Sequence, residues 1–257
     1  MKYFIGIDIG STCTKAAVID ENKKILKCIL KPTGWSSVET AKILKKELNE
    51  EGIDENNSTV ISTGYGRASV DYADKKITEI TCHARGAGFI HDQKDLIIID
   101  IGGQDTKLIQ LENGIVKDFM MNDKCSAGTG RFLEIMAGTL GVDIEELCEL
   151  AKKGKDVSIS SMCTVFAESE VISLIGRGEK KENIAYAIVN SIVQKVATQA
   201  KRWDLKNSHV CLTGGLYQFE YLKDQLSEKL GVEVSTNEYG HFAGAIGAAI
   251  SGFNLEV

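Results

Sequence analysis

The segment Asp8-Ile-Gly-Ser-Thr-Cys-Thr-Lys15 recurs 92 positions later as Asp100-Ile-Gly-Gly-Gln-Asp-Thr-Lys107. Asp, Gly, Thr and Lys keep the same places in both copies. Each copy follows an apolar, β-branched run (Phe4 to Ile9, Leu96 to Ile101) and leads into a second alternating run that ends in a polar turn. An internal repeat sets the plan of a fold before any single element does. The repeated unit reads as strand, tight glycine turn, strand: a hairpin whose bend presents backbone amides. One Asp-x-Gly turn would carry little weight, because such turns are common hairpin chemistry. Two copies with Thr-Lys in register point to phosphate. The bends, facing one another, would hold a polyphosphate from both sides, with the Asp residues holding a metal.

A chain of 257 residues that is 43% apolar has enough core for one large or two medium domains. A net charge of -6, with no long basic stretch, argues against nucleic acid as a partner. No membrane span is expected, since the run Leu96 to Ile99 stops at Asp100. Asp8 interrupts the first apolar stretch too early for a signal peptide, so a cytoplasmic protein is expected. Only one proline, Pro32, and no flexible linker occur, which implies closely apposed domains.

The patterning predicts strands at 3–9, 14–20, 25–31 and 58–63 in the first half, with helices at 36–51 and 77–90. In the second half it predicts strands at 96–101, 105–111, 114–120, 208–213 and 232–236. Helices there are expected at 128–140, 143–153, 164–177, 181–203, 218–229 and 243–250. Three strands, a helix, a strand and a helix in each half make an α/β fold with mixed sheets. The expected lobes are 1–94, joined by a C-terminal helix within 241–257, and 95–240, with a ligand cleft between them.

Seven cysteines, an odd number without a Cys-x-x-Cys, do not form a disulfide framework. Five read as ordinary: Cys28 and Cys211 in apolar strands, Cys82 and Cys148 on helices, Cys13 in the first bend. Cys125, within Asn122 to Arg131, and Cys163, within Ser160 to Glu170, each precede a predicted amphipathic helix among small and hydroxyl residues. Free N–H groups and the positive helix end would favour thiolate there. Such a pair suits a disulfide, redox chemistry or a metal. An iron–sulfur cluster takes four thiolates, which a two-fold dimer would supply. Ordinary helix-start cysteines are the alternative.

The paired hairpins, together with Thr213-Gly-Gly215 and Ala243-Gly-Ala-Ile-Gly247, resemble the acetate kinase, sugar kinase, chaperone and actin superfamily. That resemblance implies an actin-like ATPase fold of two ribonuclease-H-like lobes binding ATP or ADP with Mg²⁺. It implies that Ser11, Thr12, Cys13, Thr14 and Lys15 make the first phosphate contact, and Gly102, Gly103 and Gln104 the second. Gly214 and Gly215 would border the ribose and adenine, with Gly128, Gly130, Gln218 and Ala245 also near the nucleotide. Asp8 and Asp100 suit an octahedral Mg²⁺ that keeps its waters. Either Gln104 or Asp105 would position the attacking water. Lys107 reads as a strand-surface charge.

More narrowly, Asn122 to Phe132 and Ser160 to Val171 closely resemble the ATP-dependent activators of 2-hydroxyacyl-CoA dehydratases. So do Ile5 to Thr12, Thr63-Gly-Tyr-Gly-Arg67, Cys82-His-Ala84 and Asp100 to Asp105. The activator of 2-hydroxyglutaryl-CoA dehydratase is the type, and the ATPase subunits of benzoyl-CoA reductase are related. This resemblance implies a homodimer bridged by one [4Fe-4S] cluster, with Cys125 and Cys163 of each subunit as ligands. It implies that ATP hydrolysis drives one electron from ferredoxin or flavodoxin to a partner dehydratase. His241 stands where family members commonly carry Gln. Arg131 reads either as a link between cluster and nucleotide or as a solvated helix charge. Three alternatives stay open: a pantothenate kinase-like enzyme with Asp105 as base, a structural Zn²⁺ site across a dimer, and a double-cubane or benzoyl-CoA reductase-type partner.

Overall fold

The computed structural model describes residues 2–160 and 163–255. Five strands, Tyr3–Ile9 (β1), Cys13–Asp20 (β2), Ile25–Pro32 (β3), Ser58–Thr63 (β4) and Lys75–Lys76 (β5), form a sheet in the order β3-β2-β1-β4-β5. β1 pairs antiparallel with β2 and parallel with β4, so this sheet is mixed. β1 is buried almost along its length, as a central strand covered on both faces must be. Helix α1 (Ser37–Glu50) starts where the Ser36 hydroxyl accepts from the Glu39 N–H, an N-cap. Its Ala41, Leu44 and Leu48 pack on Ile5, Ile7 and Ile9. Helix α2 spans Glu79–Ile90.

The second sheet repeats the plan with Leu96–Ile101 (β6), Thr106–Glu112 (β7), Ile115–Asn122 (β8), His209–Gly214 (β9) and Val234–Ser235 (β10), in the order β10-β9-β6-β7-β8. β9 runs parallel to β6 and β10. Between β8 and β9 lie helices Gly130–Leu140 (α3), Ile144–Ala151 (α4), Thr164–Gly176 (α5) and Lys181–Ala200 (α6). Glu220–Leu230 (α7) and Ala243–Gly252 (α8) follow. Ile97, Ile99 and Ile101 share a core with Phe132, Met136, Ile188 and Ile192. Burying each such side chain contributes about 1.5–3 kcal/mol.

The chain divides into two compact units. Met1–Asp95, Gln110–Asp118 and Glu238–Val257 form the first; Leu96–Ile109 and Phe119–Asn237 form the second. Within the first, α8 rests directly on backbone: a Cβ on Gly6 of β1 would lie 1.8 Å from the Ala245 carbonyl oxygen, and one on Gly247 would lie 1.8 Å from that of Cys82. That closeness is why the helix is built of Ala and Gly.

The predicted elements are present, with differences at their ends. The helix predicted at 181–203 stops at Ala200, and the strand at 232–236 shrinks to Val234–Ser235. β5 was not signalled, because it is two exposed lysines paired with Ile61 and Ser62 and shows no apolar alternation. Among the described residues, no helix is long and apolar enough to cross a membrane.

Candidate functional site

The two copies of the repeat fold alike. In the first, Asp8 stands opposite Lys15 across the β1–β2 pair, with Lys15 Nζ 3.9 Å from Asp8 Oδ2. The bend closes where the Gly10 N–H donates to the Cys13 carbonyl at 3.1 Å. In the second, the Gly102 N–H donates to the Asp105 carbonyl at 2.9 Å, and Lys107 Nζ lies 3.2 Å from Asp100 Oδ2. The shared threonine ties each bend to a later segment. Thr14 Oγ1 is 2.9 Å from the Thr33 hydroxyl, which donates to the Gly10 carbonyl; Thr106 Oγ1 donates to the Gly128 carbonyl at 2.6 Å.

The duplication extends to a part that the sequence repeat does not announce. Asp8 is in register with Thr63 on β4, and Asp100 with Thr213 on β9. Each threonine precedes a glycine of positive φ, 85° at Gly64 and 86° at Gly214, a conformation that a side chain would strain. A Cβ would lie 2.5 Å from Asp8 Oδ1 at Gly64 and 2.9 Å from Asp100 Oδ1 at Gly214. Each unit thus sets one buried Asp between an Asp-Gly bend and a Thr-Gly turn. The signal was in the sequence, but α3 to α6 lengthen the second half and put the two Thr-Gly turns at different distances from their Asp.

The two aspartates are in different electrostatic states. Asp8 is 2% exposed, and its Oδ1 has no hydrogen-bond partner. An unsatisfied buried acceptor is costly, about 1–3 kcal/mol. Asp100 has both oxygens engaged: Thr213 donates to Oδ1 at 2.9 Å, and Lys107 reaches Oδ2. Lys107 also lies 2.9 Å from Asp105 Oδ2 and is only 1% exposed. The expected surface charge is therefore a buried ion bound by two carboxylates, which is the condition for burying a charge at all.

Around the bends, Ser11, Thr12 and Gln104 are exposed, Cys13, Lys15, Gly102 and Gly103 half-buried, and Thr14 buried. Beyond β9, Gly215 is half-buried and Gln218 exposed, and His241 lies half-buried before α8. Ala245 is fully buried over Gly6 in the first unit and offers no surface to a ligand.

Four of the five cysteines read as ordinary lie in apolar surroundings. Burial pushes the Cys28 and Cys148 thiols up to about 11 and Cys82 up to about 12, and raises Cys211 as well. These four are inert thiols in apolar surroundings. Cys163 is exposed and caps α5, whereas Cys125 is half-buried in the turn before α3. The expectation of free amides at the start of α3 is not met. The N–H groups that open α3, on Gly130 and Arg131, donate to the carbonyls of Gly102 and Gly103 at 2.9 and 2.8 Å. They fasten the second bend to the Cys125 turn instead.

From that turn the hydrogen bonds continue. Asn122 Nδ2 donates to the Cys125 and Ala127 carbonyls at 2.9 and 3.1 Å, and Lys195 on α6 also donates to Ala127. Thr129 Oγ1 donates to the Ser126 carbonyl, and Ser126 Oγ lies 2.7 Å from Thr164 Oγ1, next to Cys163. An unbroken path therefore runs from the second bend to both cysteine segments inside one unit. The Arg131 guanidinium takes no part in it, pairing with Glu134 at the surface. Ser161 and Met162, in the predicted Cys163 motif, lie outside the described residues. Among the described residues, no group of three or more His, Cys, Asp or Glu is placed to hold a metal.

A paired set of Asp-Gly bends, each on its own five-stranded sheet, defines the class of two-lobed α/β phosphate binders to which sugar kinases and actin-like ATPases belong. A ROK family glucokinase from Streptomyces griseus shares the fold, with a TM-score of 0.62 at 16% identity over 97% of this chain and 98% of that one. A sequence profile of the BadF/BadG/BcrA/BcrD ATPase family matches residues 5–252, and the chain belongs to that family. It is 43% identical over 251 residues to the (R)-2-hydroxyglutaryl-CoA dehydratase activating ATPase of Acidaminococcus fermentans, covering 96% of both chains. It is also similar to the activator of the 2-hydroxyisocaproyl-CoA dehydratase from Clostridium difficile, solved with bound ADPNP. That match has a TM-score of 0.88 at 38% identity, over 98% of this chain and 95% of the other.

Proposed function

We propose that this protein is the ATP-hydrolysing activator of a 2-hydroxyacyl-CoA dehydratase, passing a low-potential electron to it in the cytoplasm from ferredoxin or flavodoxin. The observation that carries the reading is the hydrogen-bond path from Gly102 and Gly103 through the Cys125 turn to Thr164 beside Cys163. A phosphate-sensing bend wired to two cysteines is what coupling of hydrolysis to electron transfer requires.

The phosphates of ATP or ADP would be received by the amides of the first bend, with Lys15 drawing them. Mg²⁺ supplies charge neutralisation of the β- and γ-phosphate oxygens when bound. Asp8 suits its water shell, because Asp8 Oδ1 is buried without a partner. Asp100, held by Thr213 and Lys107, would order the second bend rather than face the cation directly. Gln104 is the better group to orient the attacking water, since Asp105 is bound by Lys107 while Gln104 is exposed. The same ion pair argues against a kinase that uses Asp105 as its base.

Cys125 and Cys163 would hold one half of a [4Fe-4S] cluster, with a second copy of the chain supplying the other half in a homodimer. The cluster supplies one-electron transfer at a potential tuned by hydrogen bonds to sulfur and by solvent exposure. The α5 residues Val165 and Phe166, each 67% exposed, with Ile172 and Ile175, give the apolar face beside Cys163 that a second copy would cover. Loss of the γ-phosphate would shift Gly102 and Gly103, move Gly130 and Arg131 with them, and reset the Cys125 turn and the start of α5.

The test is retention of a purified dehydratase component on the immobilised protein, with oxygen excluded. Retention with ADP and aluminium fluoride, but not with ADP alone, is the expected result. Equal retention in both states, or none in either, contradicts the proposal.

A further inference from the structure

The Thr-Gly turns that follow β4 and β9 close alike but differ in one side chain. After β4 the Arg67 N–H donates to the Gly64 carbonyl at 3.3 Å, and after β9 the Tyr217 N–H donates to the Gly214 carbonyl at 3.4 Å. Arg67 and Tyr217 therefore hold equivalent places. Tyr217 packs against the core of the second unit. Arg67 lays its guanidinium on its own turn instead, Nη1 donating to the Gly64 carbonyl at 2.9 Å. Among the described residues this is the one hydrogen bond of the guanidinium, and no carboxylate lies within ion-pair distance of it. The turn itself does not require that bond, because the turn after β9 closes with a tyrosine in the same place.

The neighbours of Arg67 place it at the first bend. Gly64 is pressed against Asp8, where a Cβ would meet Oδ1 at 2.5 Å. The Gly66 N–H donates to the Ile9 carbonyl at 2.9 Å, one residue before Gly10 opens the bend. Arg67 thus belongs to the carboxyl ends of the parallel strands β1 and β4, the side on which open α/β sheets receive ligands. Lys15 reaches the Asp8 carboxylate at 3.9 Å, so two cations gather near it. At the equivalent places of the second unit, Lys107 is taken up by Asp100 and Asp105, and Tyr217 carries no charge.

A guanidinium carries five N–H donors in a rigid fork and stays charged at any ordinary pH. Half-buried and without a counter-charge, Arg67 is completed by an anion that accepts from the unused donors. At the mouth of an Asp-Gly bend in an ATPase, that anion is a phosphate of the nucleotide.

We infer that Arg67 is a phosphate-binding residue, joining Lys15 in receiving the phosphate chain of the nucleotide on the first unit. The inference rests on nucleotide binding by the ATPase and is independent of the cysteines.

Calorimetric titration of the whole chain with ADPNP and, separately, with adenosine tests it without reference to turnover. Arg67→Met keeps much of the side-chain length and removes the charge. It should weaken ADPNP binding roughly ten- to hundredfold, as loss of a charge-assisted hydrogen bond does, and leave adenosine binding within about twofold. Arg67→Lys, which keeps the charge but loses the fork, should fall between Arg67→Met and wild type. An Arg67→Met protein that binds ADPNP as wild type does overturns the inference. So does equal weakening of ADPNP and adenosine, which marks a residue that only shapes the turn. Wild-type protein that binds neither would overturn the ATP reading and this inference together.

Discussion

Replacing Cys125 or Cys163 by Ala is expected to yield a colourless, monomeric protein that has lost electron transfer but still binds ATP. The proposed centre has four thiolates around one cluster, two from each chain. Removing one cysteine per chain therefore removes half the ligand set. Iron content should fall from about two atoms per chain to near zero, since [4Fe-4S] clusters need their full set of thiolates. The dimer should go with it, because the remaining contact is a modest apolar face on α5. ATP binding should survive for a structural reason. The bonds between the Cys125 turn and the second bend use the backbone of Gly130 and Arg131, and Asn122 holds Cys125 by its carbonyl, all of which Ala preserves. Metal analysis, light scattering and nucleotide titration on the same preparation check the three parts. A coloured, dimeric Cys163→Ala protein would contradict the assignment.

The second large effect is on stability. Lys107→Met should destabilise the protein by roughly 3–5 kcal/mol, the range for breaking a buried ion pair from one side. The loss leaves Asp100 and Asp105 buried as uncompensated carboxylates on a site that Lys107 Nζ now bridges at 3.2 and 2.9 Å. The urea midpoint reads this directly. Lys15→Met is the informative control: Lys15 is partly exposed and touches one carboxylate at 3.9 Å. It should lower stability far less and ATP affinity more. Adding Asp100→Asn and Asp105→Asn to Lys107→Met should recover much of the lost stability, because the stranded charges are gone. A Lys107→Met protein as stable as wild type would show that the pair contributes nothing.

The hairpin repeat was legible because its chemistry is local: β-branched strands around an Asp-x-Gly bend show directly in the order of residues. β1 falls on the predicted bounds for that reason. The ordinary cysteines were legible too, since apolar neighbours in sequence became apolar neighbours in space. What the sequence concealed depends on distant segments. Lys107 sits in a strand at a position that either face could occupy, and only the packing around it decides that it is buried. The Thr63-Gly64 and Thr213-Gly214 turns are equivalent only once β4 and β9 are laid beside β1 and β6. The amides at the start of α3 seemed available to Cys125, but the carbonyls of Gly102 and Gly103 take them. Arg131, weighed as a link through its charge, contributes its backbone N–H instead.

The central claim is that each chain contributes Cys125 and Cys163 to one iron–sulfur centre on a dimer axis. Wild-type protein purified without oxygen should be analysed for iron, acid-labile sulfide and mass in solution. About four irons and four sulfides per two chains are expected, in a dimer that dissociates when the cluster is chelated. A monomer free of iron and sulfide would contradict it.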